Sequence, residues 1–199
     1  MARRGQEDAY YHRAKKEGYA ARSVYKLQEI DRRYKIFRRG QKVLDLGCHP
    51  GSWLQYAAQK VGPSGLVVGV DLQPPTVELP KHARFVQSDL LEIRPEELRE
   101  FASAYDLALS DAAPKTTGIK GADVIKSLEI TTAAVELGLA LLKPGGALVA
   151  KVFYGKDVDQ LIHRVKRAFK MGKAYKPQVT TTGSKEIYLL GQGYKGNEN

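Results

Sequence analysis

At 199 residues the chain has the size of one large domain, long enough to bury roughly 70% of its unfolded surface. Hydrophobic residues at 43% and charged residues at 27% exclude a disordered or fibrous chain. The single cysteine, Cys48, excludes an internal disulfide and points to a reducing, cytoplasmic setting.

No apolar run approaches the ~18 residues of a membrane span. The polar start Met1-Ala2-Arg3-Arg4 holds no signal-peptide core, so a chain without membrane or leader is expected. The net charge of +10 is unevenly spread. Residues 1–42 carry 13 Lys or Arg against 5 Asp or Glu, residues 43–150 carry 9 against 13, and residues 151–199 carry 10 against 4. Basic ends around an acidic middle suit a polyanion held by the ends while the middle does something else. A solubilising bias is the plainer reading. Arg32, Arg33, Arg38 and Arg39 are candidates for phosphate contacts.

Asp8 to Glu17 reads as a polar helix stopped by Gly18. Ser23 can cap a second helix that carries Lys26 beside Val24, Leu27 and Ile30. The interleaved Tyr10, Tyr11, Arg13, Lys15, Lys16, Tyr19, Arg22 and Tyr25 suit either RNA contacts or a helix docked by its tyrosines. From Gln41 onward strands and helices alternate. Strands are predicted at Val43 to Leu46, Leu66 to Val70, Arg84 to Gln87, Leu107 to Leu109 and Ala147 to Val152, with two more near Ala174 and over Glu186 to Leu190. Helices are predicted at Trp53 to Lys60, Pro95 through Phe101, Asp123 to Leu142 and Val158 to Phe169, and Lys143-Pro144-Gly145-Gly146 reads as the turn that ends the long one. The alternation predicts an α/β fold with a mainly parallel sheet covered on both faces. The expected organisation is a single domain: a basic helical extension over 1–40, a core over 41–191 and a tail over 192–199.

In such folds a ligand sits beyond the carboxyl ends of the strands. The turn Leu44-Asp45-Leu46-Gly47-Cys48-His49-Pro50-Gly51-Ser52-Trp53 joins a strand to a helix, and Gly47 and Gly51 let a backbone approach a ligand closely. It is not G-x-G-x-x-G, and Pro50 removes one of the amides a diphosphate would use. A cofactor without phosphate fits better. Asp71, Asp89 and Asp111 all fall at predicted strand ends. Asp71 can accept from ribose hydroxyls and Asp89 from an adenine amino group, or each can serve as a solvated turn or cap. Cys48 reads as packing, and His49 as either a pocket wall or a turn residue.

Five motifs in order, Tyr25-Lys26-Leu27-Gln28-Glu29-Ile30, the Leu44 to Trp53 turn, Ser110-Asp111-Ala112-Ala113-Pro114, Val149-Ala150-Lys151-Val152-Phe153 and Ser184-Lys185-Glu186-Ile187-Tyr188, resemble the RrmJ/FtsJ family of RNA ribose 2′-O-methyltransferases. The resemblance runs from about Tyr10 to Gly191. It implies a Rossmann-like seven-stranded sheet with a final antiparallel strand, and S-adenosylmethionine as cofactor. It implies a catalytic tetrad of Lys26, Asp111, Lys151 and Glu186, cofactor contacts at Gly51, Trp53, Asp71, Asp89 and Asp111, and no metal. Size and layout are similar to the bacterial enzymes that methylate a uridine of 23S rRNA in the large ribosomal subunit, which makes that RNA the expected partner. No protein partner is inferred, and a monomer is expected. Departures from the family pattern stand at Cys48-His49, Ser52, Lys115 and Thr181-Thr182-Gly183.

The chemistry asks for these residue types. A ribose hydroxyl must lose its proton as it attacks an activated methyl in line. Lys151 can take that proton when neutral. Burial favours the neutral amine, as does a second ammonium at Lys26. Two ammonium charges about 4 Å apart repel by roughly 4 kcal/mol at an effective dielectric of about 20. Alternatively both lysines orient and stabilise only. Three other functions compete with this reading. A tRNA ribose methyltransferase would share every catalytic residue. A non-catalytic RNA-binding assembly factor leaves the tetrad unexplained. A metal-dependent small-molecule methyltransferase lacks ligand spacing and leaves the basic ends unexplained.

Overall fold

The computed structural model describes residues 2–114, 120–155, 157–180 and 183–196. Of the family departures, Lys115, Thr181 and Thr182 lie outside them, as do residues 197–199 of the expected tail. In chain order the elements are α1 (Ala2–Lys16), α2 (Val24–Tyr34), β1 (Lys42–Leu46), α3 (Ser52–Val61), β2 (Leu66–Asp71), β3 (Ala83–Gln87), α4 (Pro95–Arg99), β4 (Tyr105–Ser110), α5 (Lys120–Leu141), β5 (Leu142–Phe153), α6 (Val158–Ala168), β6 (Phe169–Tyr175) and β7 (Glu186–Tyr194). They form an α/β fold of the Rossmann-like type.

The strands make one seven-stranded sheet in the order β3-β2-β1-β4-β5-β7-β6. β1 to β5 run parallel, and β7 pairs antiparallel with both β5 and β6. Central strands read as apolar runs because both faces are covered. On one face Val43, Val67, Leu107, Leu109, Val149, Tyr188 and Leu190 pack with α2 and α3. On the other, Leu44, Leu46, Val68 and Val70 pack with α4 and α5, and Ala108, Leu148, Val152 and Leu189 pack with α5 and α6. The stripe Val24, Leu27 and Ile30 fixes α2 on the first face at 0% exposure. Among the described residues no helix is long and apolar enough to cross a membrane.

Two local expectations change. The turn expected over Lys143 to Gly146 does not close the long helix, because β5 already begins at Leu142. Tyr105 pairs with Leu142 and Leu107 with Ala147, so the Pro-Gly-Gly stretch bulges out of the ladder between them. At the far end, β7 continues through Tyr194, so Gln192 to Tyr194 belong to the sheet and not to a tail. Register partners Met171 and Phe169 on β6 hold them, and the Tyr194 ring lies 5.4 Å from the Phe169 ring.

Gly191 makes that last pairing possible. A Cβ there would lie 2.5 Å from Cδ2 and 2.6 Å from Cγ of Phe169, whose ring is 1% exposed. Gly191→Ala is expected to lower stability by about 1–3 kcal/mol, because the overpacked ring has nowhere to go. A lower urea midpoint at unchanged slope checks this. An unchanged midpoint would show that β6 can swing away without loss.

Candidate active site

The parallel sheet brings four distant stretches to one edge. Lys26 lies in the first turn of α2, Asp111 directly follows β4, Lys151 lies on β5, and Glu186 opens β7. β5 and β7 are paired, with Lys151 opposite Tyr188 and Phe153 opposite Glu186. The Lys26 Nζ is 2.6 Å from Glu186 Oε1. The Lys151 Nζ is 3.1 Å from Asp111 Oδ1 and also donates to the Asp111 carbonyl. Lys151 is held from its own backbone too, since Thr131 Oγ1 donates to its carbonyl at 2.7 Å.

Tyr188 joins the two ion pairs. Its hydroxyl donates to Asp111 Oδ1 at 2.7 Å and lies 3.2 Å from Glu186 Oε1. Burial, with the two carboxylates beside it, pushes the phenol far above its ordinary range, so it remains a neutral donor. The result is an unbroken chain, Lys26–Glu186–Tyr188–Asp111–Lys151, in which a phenol joins two amine–carboxylate pairs. Lys151 and Glu186 are each less than a tenth exposed. Buried charges persist only when paired and hydrogen-bonded, and here each has both.

The support behind this chain comes from α2 and α3. The Trp53 ring stacks on Tyr188 at 5.8 Å and 25°, and its Nε1 donates to the Ser23 carbonyl. Ser23 makes no side-chain cap bond; its hydroxyl instead meets that of Ser52 at 3.0 Å, stitching the starts of the two helices together. One turn beyond Lys26, the Glu29 carboxylate accepts from Tyr175 Oη at 2.6 Å and from the amides of Gln178 and Val179 at 2.8 and 3.2 Å. Burial and the Glu29 carboxylate push the Tyr175 phenol up to about 12. α2 therefore grips the connection into β7 at two points, through Glu29 and through Lys26.

Beside this chain lies the glycine turn after β1. The atoms its glycines make room for belong to neighbouring loops. A Cβ on Gly47 would meet Ala112 Cβ at 2.4 Å and its Cα at 2.9 Å, next to Asp111. One on Gly51 would meet Val77 Cγ2 at 2.9 Å. Both residues have positive φ, 77° and 115°. The turn is clamped to the stretch after β2: His49 donates its amide to Asp71 Oδ2 at 2.9 Å, and Thr76 donates its amide to the Pro50 carbonyl at 3.0 Å. Asp71 Oδ1 accepts from Gln73, and Asp89 Oδ1 accepts from the Leu91 amide. His49 Nδ1 lies 3.0 Å from the Pro74 carbonyl, which makes it a turn residue. Cys48 is buried, and burial pushes its thiol well up.

One group in this region has no partner. Asp45, on β1, is fully buried, and neither carboxylate oxygen has a hydrogen bond among the described residues. Burial first, then the nearby Asp111 and Asp71 carboxylates, push its acid well above the ordinary range. An orphaned buried carboxylate with two others close by suits a ligand that brings positive charge. S-adenosylmethionine, with a sulfonium and an ammonium and no phosphate, fits that donor set.

A family model for FtsJ-like methyltransferases matches residues 19–194. The chain belongs to the FtsJ-like methyltransferase family. The methyltransferase is 47% identical over 192 residues to ribosomal RNA large subunit methyltransferase E of Desulfatibacillum aliphaticivorans, covering 96% of this chain and 93% of that one. It is 44% identical to the Bdellovibrio bacteriovorus protein of the same name, covering 94% and 97%. Among solved structures it is similar to one from Plasmodium falciparum described as a ribosomal RNA methyltransferase, at TM-score 0.76 and 26% identity, covering 90% of this chain and 100% of that one.

The four residues expected as a tetrad meet in the methyltransferase, in two ion pairs. Asp71, Asp89 and Asp111 stand together at the carboxyl edge, at or just past the ends of β2, β3 and β4. Trp53, expected as a cofactor contact, is 2% exposed, and its indole stacks on Tyr188 and donates to the Ser23 carbonyl. Part of the arginine patch lies at the other end of the strands. Arg38 and Arg39 precede β1, at the amino ends of the parallel strands. A strand of this length spans about 15–20 Å, so phosphates held there lie a sheet-width from the tetrad. Sequence reasoning does not single out Tyr188, Asp45 or Glu29. Tyr188 has a signal, since i and i+2 share a face of a strand. Asp45 has one too, a lone carboxylate inside an apolar run.

The raised pKa of Asp45 gives a stability test. Its folded value lies above the unfolded one near 3.8, so its favourable contribution is present below that pH and lost as pH rises. At neutral pH the ligand-free fold carries the cost, about 1.4 kcal/mol for each tenfold weakening of the acid. Asp45→Asn is expected to melt higher than wild type at pH 7, with a smaller gain at pH 4, and to bind S-adenosylhomocysteine more weakly by calorimetry. A lower melting temperature with unchanged affinity would contradict this role.

Proposed function

We propose that this methyltransferase transfers the methyl group of S-adenosylmethionine to the ribose 2′-hydroxyl of a uridine in 23S rRNA of the large ribosomal subunit, in the cytoplasm. The observation that carries the reading is the buried chain from Lys26 to Lys151 through Tyr188, beside the acid-rich turn. Relatives that carry large-subunit ribosomal RNA in their names support the substrate.

When bound, the cofactor supplies a methyl group activated by a sulfonium. Gly51, Trp53, Asp71, Asp89 and Asp111 would hold it, and Asp45, fully buried, would act on it through its field alone. Asp71 and Asp89 each accept main-chain amides, and a carboxylate has lone pairs to spare for ribose and adenine donors. Lys151 Nζ, anchored by the Asp111 carboxylate and carbonyl, would meet the 2′-hydroxyl as a neutral amine, keep its N–H groups on Asp111, and take the hydroxyl proton on its lone pair as the new C–O bond forms. Lys26, anchored by Glu186, would stabilise charge developing on that oxygen. Tyr188 sets the spacing of the two carboxylates and so of the two amines, which is the positioning a near-attack geometry needs.

Lys151→Ala is expected to lower methyl transfer by about 10²–10⁴ while leaving S-adenosylhomocysteine affinity near wild type. Arginine keeps the charge but cannot accept a proton near neutrality, so Lys151→Arg should be equally impaired. Turnover measured on large ribosomal subunits, free ribosomal RNA and tRNA checks the substrate alongside. Near-normal turnover in Lys151→Arg would refute the proton-acceptor role, and preference for tRNA would refute the ribosomal substrate.

A further inference from the structure

β5 reaches past Lys151 to the rim of the site. Val152 turns into the opposite core and is fully buried, and Phe153 pairs with Glu186. Tyr154 then donates its amide to the Lys185 carbonyl at 2.8 Å, which extends the β5–β7 ladder one step beyond the strand. From Lys151 to Tyr154 an extended chain covers about 10 Å. The backbone of Tyr154 is thus fixed at the carboxyl edge of the sheet, a short reach from the amine proposed to meet the ribose.

The side chain is left open. Tyr154 is 51% exposed, and its ring and hydroxyl have no contact with another ring or polar group among the described residues. The other tyrosines near the tetrad are all engaged: Tyr188 with Asp111, Tyr175 with Glu29, and Tyr25 with Glu17 at 3.0 Å. Beside Tyr154 stands Lys185, itself exposed, and the Lys176 ammonium donates to the Ser184 carbonyl at 2.6 Å, steadying the stretch that leads into Glu186. A rigidly held backbone, an aromatic ring with a free face and a neighbouring cation are what an unpaired nucleobase and its phosphate recognise. Stacking tolerates any base, because every base has a π face.

We propose that Tyr154 is a stacking platform for a base of the RNA substrate, at or next to the methylated nucleotide, with Lys185 facing its phosphate. This role rests on the protein being an RNA methyltransferase. Tyr154 acts on how the RNA is held and has no part in the chemical step.

The test is steady-state methylation of large ribosomal subunits from a strain lacking this modification, with Tyr154→Ala, Tyr154→Leu and Tyr154→Phe. Loss of one base stack is expected to raise KM for the RNA by about 5- to 150-fold in Tyr154→Ala. kcat and S-adenosylhomocysteine affinity should stay near wild type. Tyr154→Phe should keep the wild-type KM, and Tyr154→Leu should resemble Tyr154→Ala. A wild-type KM in Tyr154→Ala overturns the platform while leaving the RNA reading intact, and Tyr154→Leu matching Tyr154→Phe overturns stacking as its basis. Absence of methyl transfer by the wild-type protein would overturn the RNA reading and the platform with it.

Discussion

A single phenol proton organises this molecule's functional edge. Tyr188 sits between Asp111 and Glu186, and each carboxylate holds one lysine. Taking ionisable groups out of water is costly, and removing one partner strands another. The Tyr188 hydroxyl shares the two carboxylates without adding charge, so the network closes. Everything around it serves that closure. Trp53 stacks on the Tyr188 ring, Ser23 and Ser52 join the helices that carry Lys26 and Trp53, and Glu29 ties α2 to the chain entering β7. A packed two-sided sheet is what lets these contacts be set to tenths of an ångström.

The uneven charge of the sequence acquires a physical meaning in this arrangement. The acidic middle supplies Asp45, Asp71 and Asp111 from β1, β2 and the end of β4, a group of carboxylates whose field suits a cationic cofactor. The basic ends supply Lys26 from α2 and Lys151 and Lys185 from the last third of the chain, the side proposed to face RNA. The sheet order, with β4 between β1 and β5, sets the two charge regimes against each other at Asp111. That carboxylate borders both, where the proposed methyl donor and ribose acceptor would meet.

Most of the architecture is legible in the sequence because it rests on local rules. Apolar runs buried on both faces and amphipathic helices such as α6 declare themselves by periodicity. The tetrad is legible through its motifs, and the structure places its members in contact. What escapes depends on non-local geometry. Tyr188 acquires its role only because β7 inserts between β5 and β6 and brings residue 188 opposite Lys151. Asp45 shows in the sequence as a lone acid in an apolar run, but only the packing of both sheet faces shows that it is dry. Gly47 also leaves room for Ala112, a neighbour in space but distant in sequence, which its place in the turn alone does not reveal. Arg38 and Arg39 stand out by density of charge alone, which does not say at which end of the strands they lie.

The most direct measurement identifies the product. Large-subunit RNA, methylated in vitro from S-adenosylmethionine labelled on the methyl group, can be hydrolysed by alkali and by nuclease and the label followed. A methylated 2′-oxygen blocks alkaline cleavage at its own 3′-phosphodiester, because that cleavage needs the free hydroxyl. The expected result is label confined to one alkali-resistant dinucleotide that nuclease and phosphatase convert to 2′-O-methyluridine. Label released by alkali as a base-methylated mononucleotide would contradict ribose methylation, and with it the roles of Lys26 and Lys151 at the ribose oxygen.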